Sequence, residues 1–220
     1  RPLPIALLAA LAVLMLAFAP ALWRMGEGGP ATGDDGAPWR VTPLPGGGIE
    51  VFGLALPGTT LADARRRWGE AMAVAVMARA GDAGALESYV ERHRAGPIEG
   101  RLILSWQAGD DRVAGWRASI EAERLDGGTL RHPLRGVALD GAENARLVGA
   151  TFVAGPALDA TMVAQRFGEP AERVAGDGGI EHWLYPAIGL AVLIDPRGKD
   201  LLQYVAPAEV ERRLRAPLRP

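Results

Sequence analysis

Cysteine is missing from all 220 positions of the sequence. Its absence excludes disulfide bonds, cysteine nucleophiles and zinc sites built from thiolates. Histidine is scarce, and His93, His132 and His182 lie too far apart to match the ligand spacing of a metal-binding motif. We therefore expect no metal site and no cofactor.

Sequence motifs of the common enzyme classes are missing as well. The chain has no Gly-x-Ser-x-Gly, His-Glu-x-x-His, P-loop or dinucleotide-binding pattern. The neighbouring carboxylates Asp110 and Asp111 fit a turn and a helix cap better than a catalytic pair. We predict no catalytic residues and keep an enzyme of unrecognised type as the least favoured alternative.

The sequence also lacks an excess of positive charge. The formal net charge is −2, so the chain lacks the basic footprint of a nucleic-acid-binding protein, and we predict no nucleic acid partner. Apolar residues make up 49% of the sequence. This share suffices for a hydrophobic core and a membrane segment.

An almost uninterrupted apolar run without charge covers residues 3–23. About 20 such residues cross a bilayer as a helix. We predict a transmembrane anchor at residues 1–24, with a signal peptide ending near Ala19 as the alternative. Arg1 and Trp23 favour a single-pass protein of the inner membrane, with the bulk of the chain in the periplasm.

Glycine and proline make up half of residues 25–48. Such a segment buries too little apolar area to order itself, so we predict a linker. Trp39 is the unusual residue within it. It is either a chance aromatic or a residue that docks on the folded domain or on a partner.

Residues 148–205 show the clearest structural pattern. Apolar positions at helical spacing predict a helix over 160–167, with Asp159 as N-cap and Gly168 just past the end. Four short apolar runs separated by turn residues follow the helix. The pattern predicts a helix that packs on an antiparallel sheet.

An earlier segment repeats this pattern at an offset of 99 residues. Thr60 aligns with Asp159 and Trp68 aligns with Phe167, and three predicted strands follow Trp68. We therefore predict an α+β fold in which two tandem helix-on-antiparallel-sheet modules follow a single N-terminal transmembrane helix. The first module with a helical extension spans 49–137 and the second spans 138–206. Trp68 and Phe167 are expected to be largely buried.

Further helices are predicted outside the repeat. Asp111 can begin a helix with Val113 and Trp116 on one face, and Asp140 can begin a short helix that ends near Leu147. Residues 207–220 are predicted to form a C-terminal helix and tail.

A family resemblance appears in the later segment, in the residues Asp159, Phe167–Gly168–Glu169–Pro170, Trp183–Leu184–Tyr185, Gly189–Leu190, Asp195 and Gly198–Lys199. Their order resembles the SmpA/OmlA (BamE-like) module, and the beta-lactamase inhibitor protein uses a similar module in tandem. The resemblance covers about a quarter of the chain. It implies a small envelope domain that makes protein contacts.

Together these patterns predict a membrane-anchored periplasmic protein-interaction module, in the form of an accessory or stabilising subunit of an inner-membrane or envelope complex. The alternative is a proteinaceous inhibitor or binding protein of the envelope. The expected partners are a protein in or near the inner membrane and, through residues 3–23, the lipid bilayer. Expected contact sites are the sheet face opposite the helices and the residues Trp106, Trp116, Val210, Leu214, Arg65 and Arg66.

Overall fold

The computed structural model describes residues 36–79, 81–125 and 128–219. Their strands are β1 Thr42–Leu44, β2 Gly48–Val51, β3 Leu54–Leu56, β4 Met72–Ala78, β5 Ala85–Ala95, β6 Ile98–Gln107, β7 Glu123–Arg124, β8 Leu130–Pro133, β9 Arg146–Ala154, β10 Glu172–Ala175, β11 Glu181–Tyr185, β12 Leu190–Ile194 and β13 Leu201–Tyr204. The helices are α1 Leu61–Trp68, α2 Asp110–Ser119, α3 Gly136–Gly141 and α4 Ala160–Phe167. Short helical turns fill residues 207–218, here named the C-terminal segment.

Two antiparallel sheets organise the described residues. The large sheet has ten strands in the order β10-β11-β12-β13-β9-β6-β5-β4-β8-β7. The small sheet is the three-stranded meander β1-β2-β3. Two stretches of consecutive strands, β4-β5-β6 and β10-β11-β12, form opposite arms of the large sheet, with β9 and β13 between them.

The predicted fold class is wrong. The molecule is mostly one large sheet with few helices, because the strands of the two predicted modules pair with each other. Strands β6 and β9 make this junction, with Leu102 opposite Phe152. Pairing satisfies backbone groups that two separate sheets would leave exposed at their edges.

The described residues do not include the segment predicted as a transmembrane helix. Among the described residues, no helix is long and apolar enough to cross a membrane. The predicted anchor or signal at residues 1–24 lies outside the described residues, as do residues 25–35 of the predicted linker.

Helices α1 and α4 begin and end as their sequences predict. Thr60 and Asp63 bond each other's backbone N–H in a capping box at the start of α1. Asp159 accepts from the N–H of Met162 at the start of α4. Each helix ends at a glycine of positive φ, 52° at Gly69 and 79° at Gly168.

Two predicted helices differ from the observed ones. Helix α2 ends at Ser119, well before the expected stop. Helix α3 ends just after Asp140 instead of beginning there. Residues 146–154 adopt a strand because every second side chain enters the core while the backbone pairs with β6.

The core lies between one side of the large sheet and a layer formed by the small sheet, α1 and α4. Phe52 joins these layers from the β2–β3 turn, where its φ is 55°. Its ring contacts the rings of His93, Phe152 and Tyr204, and its carbonyl accepts a bond from the Arg67 guanidinium. A left-handed non-glycine residue costs on the order of 1 kcal/mol, which the burial of this ring offsets.

Part of the predicted linker belongs to the folded structure. Ala37 is buried, and the Tyr204 hydroxyl donates to the Pro38 carbonyl at 2.6 Å. The ring of Trp39 packs against the core and lies 4.3 Å from the Arg166 guanidinium carbon. Trp39 therefore docks on the folded domain, which is one of its two expected roles.

Candidate functional site

The outer side of the large sheet faces away from α1 and α4. One row of directly paired residues crosses this side from β4 to β11, namely Ala73, Tyr89, Ile103, Thr151, Gln203, Ala191 and Leu184. A second row runs parallel to it from β6 to β11, namely Arg101, Val153, Leu201, Leu193 and His182. Side chains in such rows share one face of the sheet.

The C-terminal segment covers one end of this outer side. Val210 and Leu214 are buried against Leu184, Ala191 and Val205 in a second, small apolar cluster. A salt bridge from Arg215 to Glu172, at 2.7 Å, fastens the segment to β10. The outer positions of β4, β5, β6, β9 and β13 lie beyond this cluster, and we name them the open face.

Four aliphatic side chains cross the open face and its border with β12. They are Ile103, Val153, Leu201 and Leu193, named here the apolar strip. Each is partly exposed, and in the described part of the chain each lies outside both clusters of buried residues. The strip is therefore apolar surface that the fold itself leaves without a cover.

Charged and aromatic residues border the strip on β5 and β6. Arg101 donates to Glu91 at 2.8 Å, and the Tyr89 hydroxyl donates to Glu87 at 2.5 Å. Burial and the Glu87 carboxylate raise the pKa of Tyr89, so its hydroxyl keeps its proton. This border is polar and fixed by hydrogen bonds.

Two depressions flank the Arg101–Glu91 pair. The larger, about 450 Å³, is lined by Ala73, Met77, Tyr89, Glu91, Arg101, Leu125 and Arg131. The smaller, about 340 Å³, is lined by Glu91, Glu99, Gly100, Arg101, Val153, Ala154, Gly155 and Lys199. Their shapes give the open face relief that a partner's side chains can enter.

The histidines do not line these depressions. His93 is buried on the core side, where desolvation first and the nearby Arg67 second lower its pKa to about 4. His132 accepts or donates through Nδ1 at 2.9 Å from the Ile120 carbonyl oxygen. Within the described residues, no group of three or more histidine and carboxylate side chains could hold a metal ion.

The residues predicted as contacts are dispersed. Trp106 is buried and donates to Ser88 at 3.0 Å, while Trp116 packs half-buried against the core. Arg65 pairs with Glu143 at 2.7 Å beside α3. Arg66 is exposed and paired with Asp63. Val210 and Leu214 belong to the C-terminal segment and are buried where it packs on the sheet.

None of these six residues lies on the open face as defined by the strand pairing of the described chain. The structure does have the predicted sheet face opposite the helices, and the apolar strip on it was missed. A signal existed, since Ile103 and Val153 occupy the outward positions of alternating segments. Strand positions that face only water are usually polar, so aliphatic residues at these positions indicate an interaction surface.

Comparison of the chain with protein-family models, with curated proteins and with solved structures returns no match.

Proposed function

We propose that this protein is a binding module that holds a protein partner on the open face of its large sheet. The observation that supports the proposal is the apolar strip, which crosses four adjacent strands and which no element among the described residues covers. Contiguous apolar surface with a polar border is typical of interaction sites. Strands paired on both sides hold this surface in a fixed shape, so a partner meets a preformed site.

The composition of the face matches the anatomy of protein interfaces. Aliphatic side chains occupy the centre, and the exposed Arg101–Glu91 pair stands at the rim. Complete burial of an aliphatic side chain is worth roughly 1.5–3 kcal/mol, and the smaller part of that remains for each partly exposed residue of the strip. The rim pair adds little affinity but orients the partner.

The cellular setting is part of the proposal. The apolar pattern of residues 3–23, which lie outside the described residues, favours an inner-membrane anchor with the sheet in the periplasm. The BamE-like resemblance of residues 159–199 points to the same compartment. We therefore place the partner in or near the inner membrane, with this chain as its accessory or stabilising subunit.

The test compares the natural protein with the double variant Ile103→Lys/Leu201→Lys after cross-linking in the membranes that contain it. Lysine at these partly exposed positions stays soluble but removes the apolar contact. Val137→Lys is the matched control, because Val137 is apolar, 88% exposed and on α3. Unfolding midpoints of all three proteins establish that each is folded.

A cross-linked protein that the natural chain and Val137→Lys both retain, and that the double variant loses at least tenfold, is the expected result. A natural chain that runs as a lone monomer after cross-linking contradicts the proposal. So does equal retention by the double variant.

A further inference from the structure

The C-terminal segment demonstrates how a helical element covers the outer side of this sheet. Val210, Leu214 and Leu218 recur at intervals of four and belong to the small apolar cluster. They pack on Leu184 and Ala191, which lie in the same row as Thr151 and Ile103 of the open face. One sheet face thus has a half covered by the chain's own helical turns and a half left uncovered.

We infer that the partner supplies an amphipathic helix, which lies on the open face beside the C-terminal segment and completes the layer. The inference rests on the proposed function and names the element of the partner that makes contact. The helix presents apolar residues at i, i+4, i+7 and i+11 to the strip and charged residues to solvent.

The dimensions of the strip fit a helix of ordinary length. From Leu193 on β12 to Tyr89 on β5 the rows cross five strands. At a strand spacing of about 4.8 Å this distance is roughly 19 Å, which a helix of about 13 residues covers. The helical pitch of about 5.4 Å is close to the strand spacing, so successive turns meet successive strands.

The sheet edges argue against an extended partner. An added strand binds through backbone hydrogen bonds at an exposed edge strand. The edge strand β7 has two residues, and β10 has four. Both edges of the large sheet therefore offer little length to a further strand.

The charged residues at the rim predict where the partner's helix carries charged side chains. Arg215 reaches from the C-terminal segment across to Glu172, which shows that a covering helix gains a salt bridge at the edge of its footprint. On the opposite margin, Glu87 and the Arg101–Glu91 pair lie next to the strip. A basic side chain one turn from the apolar line would meet the Glu87 carboxylate there.

Site-specific photo-cross-linking of the full chain tests the inference. A benzophenone side chain replaces Thr151 or Gln203 within the uncovered rows, and Val137 on α3 is the control position. Illumination of the membranes is followed by sequencing of the cross-linked partner peptides. We expect Thr151 and Gln203 to label one partner segment at residues spaced three, four and seven apart. We expect Val137 to leave that segment unlabelled.

The outcomes separate this inference from the proposed function. Labelling of a protein partner at every second residue, or scattered over several segments, overturns the helix and leaves the proposed function standing. Labelling of lipid alone, of a second copy of this chain alone or of nothing overturns both. Addition of Ile103→Lys to the Thr151 probe should lower the helical labelling at least tenfold, whereas addition of Val137→Lys should leave it unchanged.

Discussion

The two arms of the large sheet are built alike on the core side and differ on the outer side. Helix α1 ends in Trp68, whose ring is 5.7 Å from that of His93, and α4 ends in Phe167, whose ring is 5.6 Å from that of Tyr185. On the outer side, only the β10–β12 arm lies under the C-terminal segment. The comparison shows that one local plan on the core side accompanies two different outer sides, one under the C-terminal segment and one that borders the apolar strip.

The largest expected effect separates covered from open surface. Leu214→Ala should lower the free energy of unfolding by about 3 kcal/mol, because a buried leucine leaves a cavity in the cluster with Leu184. Leu201→Ala on the open face should cost about 1 kcal/mol or less, since its side chain is partly exposed. Urea denaturation measures both values. Equal costs would remove the distinction between the covered end of the outer side and the open face.

A second prediction concerns the aromatic pairs. Burial lowers the pKa of His93 to about 4 from its usual value of 6.5, and among the described residues its Nε2 atom has no hydrogen-bond partner. The unfolded chain therefore binds a proton in a pH range where the folded chain does not. The stability that the neutral His93 contributes is fully present above pH 6.5 and is lost as the pH falls toward 4. Between pH 7 and pH 5 the loss should be about 2 kcal/mol.

His93→Phe should remove most of this pH dependence, because phenylalanine fits among Phe52, Trp68 and Phe152 without an unpaired nitrogen. Denaturation at pH 7 and at pH 5 gives the comparison. Burial also lowers the pKa of His182, so a smaller dependence of the same sign remains. A natural chain as stable at pH 5 as at pH 7 would show that His93 is accessible to water. The Phe167–Tyr185 pair in the other arm differs from His93 in this respect. Its polar atom, the Tyr185 hydroxyl, has a hydrogen-bond partner, because it donates to the Gly168 carbonyl at 3.0 Å.

A third prediction tests whether the two helices contribute equally. Trp68 and Phe167 are half-buried, less than their sequence positions suggested. Replacement of either by alanine should cost about 2 kcal/mol, below the range of roughly 3–5 kcal/mol for fully buried aromatics. Thermal unfolding of the two variants measures the costs. A difference above about 1.5 kcal/mol would show that the resemblance between the arms stops at geometry.

Local sequence patterns predicted helices α1 and α4, but not the extent of α2 and α3. Thr60, Asp159 and the glycines after α1 and α4 act through neighbours within four residues, so the sequence alone reveals them. The assembly of the elements was not predicted. The junction of β6 with β9 and the bond from Tyr204 to Pro38 join residues that are far apart in the chain, and local periodicity contains no information on such partners.

The candidate site divides in the same way. The face opposite the helices follows from alternation within each strand, and the sequence predicted it. The apolar strip depends on which arm the C-terminal segment covers, and that choice is non-local. Trp106 shows the opposite error: a tryptophan read as a contact residue is a core residue that donates to Ser88. Alternation separates the two faces of a strand, but it does not show which face is buried until the layers packed on the sheet are known.

The smallest expected effect sharpens the comparison at the helix starts. Thr60→Ala removes the two bonds of the threonine hydroxyl, which accepts from the Asp63 N–H and donates to the Asp63 carboxylate, and keeps the bond from the Thr60 N–H to that carboxylate. Asp159→Ala removes a single bond to the Met162 N–H. Each change should cost about 1 kcal/mol, with the larger cost at Thr60 because Asp63 also loses its hydroxyl partner. Hydrogen bonds from Thr60 lower the pKa of Asp63, so the natural chain gains this stabilisation above the ordinary carboxyl pKa and loses it as the pH falls below that value.

Denaturant midpoints of the two cap variants at pH 7 and at pH 3 separate these contributions. The cost of Thr60→Ala should be smaller at pH 3 than at pH 7, since the stabilisation that the Asp63 carboxylate gains from Thr60 is lost as the pH falls below the ordinary carboxyl pKa. Serine in place of Thr60 is the matched control, because its hydroxyl keeps both bonds. If Thr60→Ser destabilises as much as Thr60→Ala, the methyl packing of Thr60 and not its cap holds the start of α1, and the two arms differ on their core sides too.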